Sequence, residues 1–217
     1  MNIADYHEEV KRTSSAEFPY EETLKLSGLG IAGEAGEVVW LLDDTLSAEE
    51  DDCPYPSESL IGWHSALTKE AGDVLWYVVY LLNALDLRLE DVLEFHDLDT
   101  YQAVVRAEFS TTTPFSLNRA ARRLAAHAGA VADIIKKHTL HGRDLEQHDL
   151  KYRLFQTIFY LTAILNHFDI ELAVVLDINT AKLRKRYPNG WSAEASLARQ
   201  DEHEDETAEA ETEAETV

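Results

Sequence analysis

Two pairs of acids at helical spacing, each inside an apolar stripe, constrain this chain more than any other feature. The first pair is Glu34 and Glu37, and the second is Glu70 and Asp73. Residues three apart on a helix share a face in adjacent turns. Ile31, Val38, Leu41 and Leu42 surround the first pair; Leu67, Val74, Tyr77, Val78 and Leu81 surround the second. Acids at such positions are expected to face inward. A buried carboxylate is costly unless it is protonated, paired or bound to a metal. With few cations nearby in the sequence, a hard divalent ion is the natural partner of the four acids.

The rest of the chain fits an all-α fold. Ile3, Tyr6 and Val10 mark a short amphipathic helix over 3–13. Long helices are expected over 21–46 and 58–85, separated by an acidic loop at 47–57 that carries Cys53, Pro54 and Pro56. A turn at 86–90 leads into a third helix, to about residue 105. Residues 106–116 read as a linker. Three more helices fit 117–140, 146–168 and 171–187, stopped by Pro188-Asn189-Gly190. The end, 193–217, holds ten acids and one arginine and is expected to be disordered. No stretch alternates as a strand would, and antiparallel helices on short connections make a bundle.

The two halves resemble each other. At an offset of 83 residues, Tyr77, Leu82, Asn83, Asp86, Leu89, Val92 and Leu93 are matched by identical residues from Tyr160 to Leu176. Upstream, Ala35-Gly36 matches Ala128-Gly129 at an offset of 93. The difference is a longer loop in the first half, at 47–57. The positions matching Glu34, Glu37, Glu70 and Asp73 are His127, Ala130, Arg153 and Gln156, so no carboxylate recurs there. Conversely, Asn179, Lys182, Arg186 and Tyr187 stand opposite His96, Asp99, Ala103 and Val104. With acids in one half and phosphate-compatible bases in the other, the expectation is one composite site.

Charge narrows the function classes. The chain has 41 acids against 19 bases, a net charge of −22, which disfavours nucleic acid as a partner. Acid excess along the whole length resembles proteins adapted to high internal salt, a matter of solubility. A single cysteine excludes an internal disulfide and fits a reducing cytoplasm. The longest apolar run, 74–82, is far shorter than the about 20 residues of a membrane span, and the first residues carry no signal-peptide pattern. A cytoplasmic protein without membrane contact is expected. His138 and His141 have helical spacing but lack a third zinc ligand nearby. Trp40, Trp63 and Trp76 are candidates for stacking on a base, although aromatics at helical spacing are usually core.

Glu34-x-x-Glu37 followed after a gap by Glu70-x-x-Asp73 resembles the MazG-like branch of the all-α nucleoside triphosphate pyrophosphohydrolases. So does Asn179-x-x-Lys182-x-x-x-Arg186-Tyr187-Pro188, and Lys136-Lys137-His138 with His141-Gly142-Arg143 is similar to the segment that follows the first acidic pair in that family. The resemblance spans roughly 5–190, with a longer gap between the acid pairs than is usual. It implies two family units fused as a pseudo-dimer: 1–105 with the acids intact, a linker at 106–116, and a degenerate copy at 117–192. It implies Mg²⁺, or Mn²⁺ in its place, held by Glu34, Glu37, Glu70 and Asp73. The implied reaction is hydrolysis of a nucleoside triphosphate to the monophosphate and pyrophosphate, in nucleotide-pool house-cleaning. Asn179, Lys182 and Arg186 would bind substrate, and two such chains would pair as a homodimer. A phosphoribosyl-ATP pyrophosphohydrolase and a nucleotide-binding scaffold without turnover stand as alternatives.

Overall fold

The computed structural model describes residues 2–47, 57–111 and 115–199. Among them the structure is all-helical, with no strand. In chain order the helices are α1 (Ile3–Thr13), α2 (Tyr20–Ser47), α3 (Ser57–Ala84), α4 (Glu90–Leu93), α5 (Leu98–Thr111), α6 (Leu117–His141), α7 (Gln147–His167), α8 (Leu172–Arg186) and α9 (Ala193–Ala198). The loop expected at 47–57, with Cys53, lies outside the described residues except for its two ends.

Local chemistry sets the helix ends. Asn2 caps α1 by accepting from the Asp5 amide at 2.8 Å, and Ser116 caps α6 by accepting from Arg119. Gly142 ends α6 in the left-handed region at φ 64°, where a glycine has no Cβ to clash. Ile3, Tyr6, His7, Val10 and Thr13 form the buried stripe of α1.

Four long helices, α2, α3, α6 and α7, make the body. α2 packs on α3 and α6, and α6 on α7; α1 and α8 cover α3, while α4 and α5 cover α7. α2 and α3 run antiparallel: Gly30 meets the Tyr77 ring toward one end, and Trp63 Nε1 donates to the Leu41 carbonyl at the other. One continuous core runs through the helices, including Val38, Val74, Leu81, Leu124, Val131, Ile158 and Leu165. Truncating one of these leucines to alanine is expected to cost about 2–5 kcal/mol.

Three elements differ from the sequence expectation. The third helix is broken: α4 ends at Glu94, whose φ of 60° turns the chain, and Asp97 then restarts it by accepting from the Thr100 amide. The restarted helix α5 runs to Thr111, so it fills the first half of the stretch expected as linker. Residues 193–198 form α9, capped by Ser192, where disorder was expected; the tail from 200 onward lies outside the described residues.

The ends of α3 and α7 are built alike. Leu87 donates to the Leu82 carbonyl and Ile170 to the Leu165 carbonyl, each at 2.9 Å, around Asp86 and Asp169, which share a φ of 54°. Asn83 bonds to His7 of α1, and His7 Nε2 accepts from the Leu89 amide. Asn166 bonds in the same way to Gln102 of α5, whose Oε1 accepts from the Leu172 amide. Asn83 and Asn166 are structural. Tyr6 and Tyr101 are buried at matching places one residue before His7 and Gln102.

No single described helix is long and apolar enough to cross a membrane. α7 and α8 together reach that length and composition only across a bend of 102°.

Candidate metal and phosphate site

Two glycine contacts position the site. A Cβ on Gly30 would lie 2.4 Å from the Tyr77 ring, so only glycine lets α2 close on α3 and leaves that ring at the edge of the acids. A Cβ on Gly72 would lie 2.8 Å from Asn179 Cβ, so glycine lets α8 sit against α3 one residue before Asp73. The outcome is a cavity of 490 Å³ lined by Glu34 and Glu37 from α2, Glu70 and Asp73 from α3, and Lys182 and Arg186 from α8. Acids from one half and bases from the other thus face one space.

Oxygens of Glu34, Glu70 and Asp73 lie within 4.8 Å of one another, close enough to hold a metal ion. All three side chains are half-buried. Glu37 lines the same cavity but stands outside that trio and is exposed. The reason is helical geometry: three residues advance by about 300°, so Glu37 sits about 60° further from the buried stripe than Glu34 does. Inward-facing acids were expected at all four positions, and the structure supplies three.

Asp73 is held firmly. Its two oxygens accept from Lys182 Nζ at 2.6 and 2.5 Å, and Oδ1 also accepts from Asn179 Nδ2 at 2.9 Å. Asn179 is itself buried, and its Oδ1 accepts from the Tyr6 hydroxyl at 2.9 Å. Asn179, expected as a substrate contact, fixes the orientation of Asp73. Burial, with the Asp73 charge adding to it, pushes the Tyr6 hydroxyl far above the ordinary tyrosine range, so it stays a donor.

Glu34 and Glu70 carry the strain of the cluster. Burial first, then the charges of Asp73, Glu37 and Glu70, pushes Glu34 up to about 7. Glu70 is raised for the same reasons, partly offset by Lys182 and by a hydrogen bond with Glu34. The expectation of few nearby bases does not hold, since Lys69 and Arg199 line the cavity along with Lys182 and Arg186. Even so, the bases do not bring Glu34 or Glu70 back to the usual carboxylate range. Carboxylates raised by burial and by one another's charge fit a hard divalent cation.

Sequence reasoning missed several lining residues. Tyr77, pushed up to about 12 mainly by burial and by Glu34, lies one turn beyond Asp73 and faces the cavity with Trp76. Its spacing from Glu70 and Asp73 (i, i+3, i+7) was the available signal. Ser196 and Arg199 come from the α9 region, and nothing in the sequence marked them. Of the candidate stacking residues, Trp76 donates to Thr13 Oγ1 at the cavity wall, Trp63 packs edge-on against Phe168, and Trp40 is 73% exposed. His138 bonds to the Arg143 carbonyl, and among the described residues no histidine joins a cluster close enough to hold a metal.

Comparison with family models, curated proteins and solved structures gives no match.

Proposed function

We propose that the chain is a Mg²⁺-dependent nucleoside triphosphate pyrophosphohydrolase of MazG-like type, in which two family units are fused as a pseudo-dimer with one working site. The observation that carries the reading is the joining of the Glu34, Glu70 and Asp73 oxygens to Lys182 and Arg186 in a single cavity. Hard-cation ligands beside fixed cations suit a substrate that brings its own negative charge.

The fused-unit reading draws support from the matched ends of α3 and α7 and from the equivalent roles of His7 and Gln102. In the proposal α5 belongs to the second unit, upstream of the boundary expected at 117. Then α4 is the shortened counterpart of the start of α8, and the first unit lacks its own basic helix. The working site is completed by α8 of the second unit. Two chains would pair as a homodimer in the cytoplasm.

Glu34, Glu70 and Asp73 would hold the ion, with Glu37 at the cavity rim. Bound there, Mg²⁺ or Mn²⁺ would polarise phosphoryl oxygens and lower the pKa of an attacking water. The protein's own groups do the rest. Lys182 is kept against Asp73 and in reach of the cavity, where it and Arg186 offset phosphate charge. Tyr77 and Trp76 offer an aromatic wall to a base.

A pyrophosphate-release screen over canonical and damaged nucleoside triphosphates with Mg²⁺ tests the reading. Turnover that Asp73→Ala or Glu70→Ala abolishes supports it. Tight nucleotide binding without turnover on any substrate would replace the enzyme with a binding protein.

A further inference from the structure

The cations of the acidic cavity come from more than α8. The chain leaves that helix at Tyr187 and turns through Pro188-Asn189-Gly190. Gly190 sits at φ 89°, in the left-handed region open to glycine, and donates to the Tyr187 carbonyl at 3.1 Å. Arg12 of α1 fixes both sides of the turn. One of its guanidinium nitrogens donates to the Tyr187 carbonyl at 2.6 Å, and its own carbonyl accepts from the Trp191 amide at 3.0 Å. The Trp191 ring packs edge-on against Phe18, with centroids 5.9 Å apart. α9 then begins at Ala193, capped by Ser192, whose Oγ accepts from the Ala195 amide at 3.1 Å.

This anchored turn brings α9 to the cavity. Ser196 and Arg199 stand three residues apart on one side of α9, and both line the 490 Å³ space together with Leu183, Arg186 and Tyr187 from the end of α8. Glu194, the acid of α9, does not line it. Among the described residues the two walls therefore differ in sign. Glu34, Glu37, Glu70 and Asp73 come from α2 and α3, with Lys69 beside them, whereas α8 and α9 supply Lys182, Arg186 and Arg199 and no acid. α9 adds nothing to the core: none of its six residues is buried, and Leu197 is 87% exposed. Isolated helices shorter than about 12 residues are marginal in water, so α9 depends on its anchor. What it contributes to the fold at this place is a cation and a hydroxyl rather than packing.

We infer that Arg199 and Ser196 hold a phosphate group of a polyphosphate ligand, further along its chain than the group at the acids. The inference rests on the phosphate-directed reading of the cavity given above. A guanidinium fork takes phosphate oxygens in pairs. Two forks, Arg186 and Arg199, with Lys182 and a metal ion at the acids, ask for more oxygens than a single phosphate group carries. Arg199 thereby sets a preference for triphosphates over monophosphates.

The test measures binding of inorganic tripolyphosphate and of orthophosphate to the full chain by calorimetry, at fixed free Mg²⁺ and ionic strength. Hydrogen exchange of residues 193–198 is followed alongside. Tripolyphosphate should bind more tightly than orthophosphate and slow exchange in α9. Arg199 is exposed, so Arg199→Ala should fold normally, weaken tripolyphosphate about tenfold, leave orthophosphate unchanged and abolish the slowing. Ser196→Ala should act in the same direction to a smaller degree. Equal affinity of the native chain for the two anions overturns the inference, as does a tripolyphosphate affinity that Arg199→Ala leaves unchanged or lowers together with that for orthophosphate. Turnover judges the pyrophosphohydrolase reading separately. Arg199-dependent tripolyphosphate binding without turnover of any nucleotide would remove the reaction and uphold this site; turnover indifferent to Arg199→Ala would uphold the reaction and remove the site.

Discussion

Lys182 and Asp73, 109 residues apart in sequence, form a two-pronged ion pair at 2.6 and 2.5 Å on the wall of the acidic cavity. The contact links the helix with the second acid pair to the helix with the bases. Removing it tests whether both halves serve one site. Lys182→Ala is expected to lower kcat/KM about 10- to 100-fold, the scale of one charge-assisted hydrogen bond. Circular dichroism should show the helices intact. Unchanged kinetics would detach α8 from the chemistry.

Protons and metal should compete for Glu34. Glu34 is raised to about 7 in the metal-free protein, so Mg²⁺ binding there would displace a proton below that pH. Calorimetry in buffers of different ionisation enthalpy should therefore show proton release at pH 6 that fades above pH 8. Mg²⁺ affinity should rise through the same window, and Glu34→Gln should remove most of the release. The same raised group affects folding in EDTA: its contribution is present below the unfolded carboxylate range and is lost as pH rises through about 7. Mg²⁺ should offset that loss, seen as a higher Tm at pH 8.

The two tight glycine contacts and the open glycines make a controlled pair. At Gly72 a methyl group would press on Asn179 from 2.8 Å, so Gly72→Ala should destabilise by about 1–3 kcal/mol and reduce activity as Asp73 and Lys182 move apart. Gly33 has nothing within 4 Å of the added carbon. There the same change should stabilise α2 by up to about 1 kcal/mol. Thermal melts and kcat/KM on both variants decide the matter.

His7 offers an acid-sensitivity test with a built-in control. Burial holds its imidazole below the ordinary range, and its neutral form accepts from the Leu89 amide while bonding to Asn83. Its contribution is therefore full above the unfolded histidine pKa and falls as pH drops below it. Gln102 makes the equivalent contacts in the other half without titrating. His7→Gln should match the native Tm at pH 7.5 and exceed it at pH 5, whereas His7→Ala should lose stability at both.

The fold was legible where apolar periodicity was strong. The ends of α6, α7 and α8 fall within about one residue of expectation, because Ser116, Gly142 and the Pro188 cluster punctuate them. Residues 86–111 were harder. Leu89, Val92 and Leu93 match the start of α8 so closely that continued helix was the natural extrapolation, yet Glu94 turns left-handed and Asp97 caps a new helix. The similar contacts of α5 and α1 were hidden for a similar reason. They rest on a tyrosine and on His7 and Gln102, chemically unlike residues that bond to matching asparagines. Within the site, the acids and Lys182 could be read from motif spacing. The support given by Asn179 and the lining by Arg199 depend on how separate helices pack, which local spacing does not encode.

The Tyr6 hydroxyl reaches Asn179, and Asn179 reaches Asp73. A segment at the very front of the chain thereby steadies a carboxylate it never touches. Pulling that segment aside would unmoor Asn179 and cost Asp73 its set orientation, even with Lys182 still present.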